Sequence, residues 1–167
     1  MTIHLAVSGR ARRSDARSTA PSTPVDLMSV SFAVGRRAPG VPPSPEDSAR
    51  VGHMRRIAAA RLRHCGLDAL RPDVCLIVSE LLTNAILHSG TTTICLDMTV
   101  RDGGLYLAVD DGMRGNSPAP RPVDDDDESG RGLALVGSVV QEHGGTWGAD
   151  RAGRVWCSLS LPAEDAQ

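Results

Sequence analysis

Residues 74–88, VCLIVSELLTNAILH, contain no glycine or proline and are apolar on almost every side of a helix. Such a helix belongs in the interior, so the rest of the chain has to supply layers that cover it. At about 100° per residue, Glu80, Asn84 and His88 fall at roughly 0°, 40° and 80°, one polar stripe along that helix. Leu76 and Leu87 flank the stripe on one side, Ile77 and Leu81 on the other. An unpartnered buried amide costs about 1–3 kcal/mol, and a bare carboxylate more. A hydrated Mg2+ ion held by phosphate oxygens would complete these surroundings. Asn84 can offer it a hard oxygen ligand. Glu80, one turn away, can orient or deprotonate an attacking hydroxyl. The alternative is an ordinary helix whose polar stripe faces solvent, and the helix alone leaves both open.

The remaining elements follow from spacing. Val30–Val34 alternates apolar and polar residues as a half-buried strand does. Four prolines between Arg36 and Pro45 mark a linker, and Ser44 or Ser48 can cap a helix from about Glu46 to Cys65, closed by Gly66. The second helix spans about Asp73 to His88. Two strands follow, Thr92–Val100 and Leu105–Val109, joined by an Asp102-Gly103-Gly104 turn. Residues 111–130 read as loop, Gly132–Glu142 as a third helix, and Thr146–Ala149 and Arg154–Leu161 as the last strands. Helices cluster instead of alternating with single strands. This favours a two-layer α+β sandwich, a mixed and mostly antiparallel sheet with helices on one face. The domain is expected to span 29–162. Residues 1–28 are expected to be a mobile Arg-, Ser- and Pro-rich tail, and 163–167 a short one. Arg10, Arg12, Arg13 and Arg17 in the first tail could touch an acidic partner, though a solvated extension is the simpler reading.

Two glycine-bearing segments sharpen the chemistry. Strand 105–109 runs into Asp110-Asp111-Gly112. A carboxylate at a strand's end can accept a hydrogen bond from an exocyclic amine, and Gly112 lets a flat base approach the backbone. A plain Asp-Gly turn is the simpler reading. Ser129-Gly130-Arg131-Gly132 reads as a loop entering a helix, whose free N–H groups suit a phosphate. Gly130 and Gly132 would permit close approach, and Arg131 could add a charged contact. Met113–Glu128 is longer than a simple connection and looks like a cover over a ligand. Its acidic run, Asp124–Glu128, is read as a solvated stretch.

Composition excludes several alternatives. All 18 basic residues are arginine, so mechanisms that need a P-loop or Schiff-base lysine are out. A net charge of −2 with four aromatic residues argues against a dedicated nucleic-acid binder. The four cysteines form no CxxC pair, which argues against a zinc site and fits a reducing cytoplasm. No stretch reads as a secretory signal or a membrane span. His53 and His64 fall at polar positions of the first helix. His143 ends the third helix, where it complements the dipole.

In combination, SELLTNAILH, DDG after a strand and SGRGLALV resemble the three nucleotide motifs of the ATPase superfamily shared by gyrase, the heat-shock chaperone ATPase, histidine kinases and MutL. The closing HGGTWG…GRVWCSLSLP resembles its last strands, and the likeness covers about residues 30–162. It implies a Bergerat-type ATP-binding fold. Size and the VSELLTNAILH wording look most like bacterial anti-sigma-factor serine kinases. That implies ATP- and Mg2+-dependent transfer of a phosphoryl group to a serine of an anti-sigma-factor antagonist, with sequestration of a sigma factor, in the cytoplasm. By this resemblance Glu80 is the catalytic base, Asn84 the Mg2+ ligand and Asp110 the adenine contact. Gly112, Gly130 and Gly132 shape the pocket, and Arg131 lies near the phosphates. His88 matches the motif's histidine, with phosphate contact and helix packing both open. A homodimer through the first strand and helix rests on the resemblance alone.

The chain also departs from the pattern. The second motif often reads DxGxG, but here the second glycine, Gly115, comes one place late. A Lys-Thr pair often precedes the last strand's tryptophan; here it is Arg154-Val155. These departures motivate an alternative, a non-catalytic ATP-binding interaction module. A structural domain without nucleotide is a third reading. Histidine autophosphorylation is disfavoured, because no segment resembles a phosphoacceptor helix pair.

Overall fold

The computed structural model describes residues 23–37, 41–88, 90–112, 128–150 and 152–161. In order they form β1 (Val25–Ala33), α1 (Pro45–His64), a 3-10 turn (Asp68–Leu70), α2 (Arg71–His88), β2 (Thr93–Arg101) and β3 (Gly104–Asp110). Then come α3 (Glu128–Glu142), β4 (Thr146–Ala149) and β5 (Arg154–Ser160). The expected tail up to residue 22, the covering loop from Met113, the acidic run Asp124–Asp127 and the last residues, 162–167, lie outside the described residues.

The strands form one sheet in the order β1-β2-β3-β5-β4. All four pairings are antiparallel. The expected α+β sandwich is what the chain forms, with no parallel pairing among the described strands. Alternation fixes the two faces. Ile94, Leu96 and Met98 of β2, Leu105, Leu107 and Val109 of β3, and Val155, Cys157 and Leu159 of β5 are buried under the helices. α2 lies in the middle of the helix layer, packed on α1, on α3 and on the sheet. Val74, Ile77, Val78, Leu81, Leu82, Ala85 and Ile86 are its buried residues, as the apolar helix requires.

β1 begins at Val25, so the last four residues of the expected 1–28 tail are strand. The register shifts between Asp26 and Met28, a bulge that buries Leu27 and Met28 side by side. That breaks the alternation a sequence reading looks for. Ser44 caps α1 by accepting from the Asp47 N–H at 3.1 Å. The buried Asp47 carboxylate in turn accepts from the Gly35 N–H at 3.3 Å and ties the end of β1 to the start of α1. Burial makes Cys157 a small hydrophobe, with its thiol pushed up to about 12 by desolvation. All four cysteines are free.

The other face of the sheet is polar. Asp97 on β2 accepts from Ser29 Oγ of β1 at 2.7 Å and from an Arg154 guanidinium nitrogen of β5 at 2.8 Å. Thr99 Oγ1 donates to Asp26 at 3.0 Å, and the Arg101 guanidinium lies 3.8 Å from the centre of the Tyr106 ring. No described helix is long and apolar enough to cross a membrane.

Leu107, fully buried on the central strand β3, is in contact range of strands on both sides. Replacing it with alanine should lower unfolding stability by about 2–5 kcal/mol in urea denaturation. An unchanged midpoint would mean the sheet is not packed as described.

Candidate active site

Glu80 and Asn84 stand one turn apart on α2, and both are half-buried. They are neither out in water nor sealed in hydrocarbon. What closes in on Glu80 is α3. A Cβ on Gly132 would collide with Glu80 Oε2 and lie 3.3 Å from the carboxyl carbon. The absence of a side chain at Gly132 leaves the Glu80 carboxylate room to lie against α3.

α3 runs antiparallel to α2. Its fifth residue, Gly132, lies against Glu80, and just past its other end His143 Nε2 sits 2.7 Å from Asp73 Oδ2 near the start of α2. The N-terminal end of α3 therefore faces the Glu80–Asn84 stretch. β2 starts five residues after α2 ends, and β3 returns antiparallel beside it. This brings the Asp110–Gly112 end of β3 to the edge of the sheet where α2 finishes. Three of the singled-out segments thus converge on one end of the molecule.

Several expectations need correcting. The glycine segment is not a loop entering a helix at Gly132. The backbone is helical from Glu128, so Gly130 and Gly132 lie in the first turns of α3. Glycine weakens a helix by about 1 kcal/mol, but packing against α2 decides here. The orphan N–H groups of this helix end therefore belong to residues from 128 onward. Arg131 and His88 are exposed, and the polar stripe narrows to Glu80 and Asn84.

Asp110 is the last residue of β3. Leu105, Leu107 and Val109 face the helices, so alternation carries Asp110 to the opposite face with Tyr106 and Ala108. Its Oδ1 accepts from the Gly112 N–H at 2.8 Å, with Gly112 at φ +68°, the local turn of an Asp-x-Gly sequence. Asp111, half-buried, follows the last residue of β3.

The last strand shows the same division. Arg154 lies on the outer face against Asp97, while Val155 is buried under the helices. The charge of Arg154 therefore acts away from the Glu80 site. His143 lies just past the end of α3, with Asp73 of α2 as its partner.

Gly132→Ala places a methyl group where the Glu80 carboxylate lies, so that side chain must swing aside. Nucleotide binding should fall in the folded protein. Equal affinity for ATP in Gly132→Ala and the parent chain, read by calorimetry, would show that this contact does not shape the site.

The donor set fits a hard cation held jointly with phosphates: one amide oxygen at Asn84 and a carboxylate beside it at Glu80. Among the described residues no group of three or more His, Cys, Asp or Glu side chains could hold a metal alone. No curated protein matches the chain. The family model described as histidine kinase-like ATPase domain matches residues 44–155, from the cap of α1 into β5. The chain belongs to the histidine kinase-like ATPase domain family, and ATP is the ligand that membership implies.

Proposed function

We propose that this chain is an ATP- and Mg2+-dependent serine/threonine kinase of anti-sigma-factor type. It would phosphorylate an anti-sigma-factor antagonist and regulate transcription by holding or releasing a sigma factor. The observation that carries the reading is the half-buried Glu80–Asn84 pair under the start of α3, with Gly132 against the carboxylate. Glu80 would take the proton of the attacking serine hydroxyl as its oxygen bonds to the γ-phosphorus of ATP and the bond to the β-phosphate oxygen breaks. Asn84 would hold Mg2+ through its amide oxygen, and that ion supplies charge neutralisation on the phosphates. The N-terminal end of α3 would face the phosphates with its first backbone N–H groups.

A second reading keeps ATP binding without transfer. Asp110 on the outer face of the sheet and Val155 in the buried phase favour it, because both depart from the adenine contacts the resemblance implies.

Two measurements separate these readings. Mg-ATP at about 100 times its dissociation constant adds roughly 2.7 kcal/mol, which raises the melting temperature of a chain this size by roughly 5–10 °C. No rise at millimolar nucleotide would remove both. With γ-labelled ATP and a serine-bearing antagonist, Glu80→Gln should slow transfer about 100- to 10,000-fold while keeping the thermal shift. Nucleotide-dependent partner binding with no phosphoprotein in any variant would leave the binding module.

A further inference from the structure

A groove of about 550 Å³ lies on the outer face of the sheet. Its walls join aromatic rings and charges: Tyr106 and Trp156, with Asp26, Asp97 and Asp150. The groove already holds two guanidinium groups. Arg101 is stacked on Tyr106 at 3.8 Å, and Arg154 is paired with Asp97 at 2.8 Å. Trp156 repeats the first kind of surface, and Asp26 and Asp150 repeat the second.

The open face of the sheet is acidic. It carries Asp26, Asp97, Asp110 and Asp150 against Arg101 and Arg154, a balance of −2. An arginine-rich segment is attracted to such a face.

This chain contains such a segment, and it ends at the groove. Residues 1–22 include Arg10, Arg12, Arg13 and Arg17 against a single acid, Asp15. They lead into Thr23 and Pro24, and Pro24 is itself part of the groove wall. Trp156 on β5 lies three strands from β1 and level with Ser29, five residues along the chain from Pro24, so the two are about 22 Å apart. Arg17 is seven residues before Pro24, a reach of up to about 23 Å when extended. The span is therefore sufficient, with Arg13, Arg12 and Arg10 following behind.

We propose that the Arg10–Arg17 segment of the same chain docks in the outer-face groove, with its guanidinium groups on the Trp156 ring and on the carboxylates of Asp26 and Asp150. The docking covers the face of the sheet that the helices leave open. It is independent of the catalytic reading, so an inactive protein leaves it standing.

The full-length protein offers a direct probe. With 15N labelling, Trp147 and Trp156 give the two indole N–H signals, assigned with Trp156→Phe. Trp147 packs against the core and Trp156 lines the groove. Replacing the four arginines by serine (R10S, R12S, R13S and R17S together) should shift the Trp156 signal and leave Trp147 in place. Raising salt to 1 M, where screening acts over about 3 Å, should shift the parent's Trp156 signal the same way. The four-lysine variant should retain part of the parent position at low salt. An unmoved Trp156 signal in the serine variant overturns the proposal. So does a Trp156 position that depends on protein concentration together with a doubled mass in light scattering, which would place a second copy in the groove.

Discussion

The helix layer depends on burying α2 without burying its two polar side chains blindly. Seven apolar residues commit α2 to the interior, and the sheet, α1 and α3 each cover part of it. Cover on every side would strand a carboxylate and an amide in hydrocarbon, at a cost of several kcal/mol. The fold avoids this by placing a residue without a side chain, Gly132 of α3, beside the Glu80 carboxylate. The contact that closes the core is thus the one that leaves a polar opening at Glu80 and Asn84.

The parts legible in the sequence were those governed by periodicity over many residues. The apolar circumference of α2 and the alternation of β2, β3 and β5 specify two layers, and the structure has them. The parts that were not legible depended on contacts between distant residues. Gly130 and Gly132 look like loop because glycine is a poor helix former locally. Their helical state comes from packing of α3 on α2, which no local window contains. The start of β1 was hidden by the bulge at Leu27 and Met28. The 2.8 Å bond by which Asp110 Oδ1 holds the Gly112 N–H depends on the conformation of the turn, which the residue types alone do not specify.

The two faces of the sheet divide the chemistry of the chain. Under the helices are aliphatic side chains, with a half-buried acid and amide at one end. On the open face an ion pair and hydrogen bonds link β1, β2 and β5 through Asp97. An exposed pair of this kind contributes little to stability, so the network is better understood as defining the surface than as holding the sheet. The same Arg154-Val155 dipeptide serves both faces, one residue each, so substitutions there separate into effects on the polar surface and effects on the core.

Fastening α3 at the His143–Asp73 end also makes it a lever. Fifteen residues of helix extend about 22 Å. A tilt of one degree about the fastened end therefore sweeps the opposite tip by about 0.4 Å. Two degrees of such rotation would move Gly132, about 16 Å from the fastened end, by about 0.6 Å relative to Glu80. The buried Val139 and Val140 of α3 lie close to that end and would move least, so the spacing at Glu80 changes more than the core does.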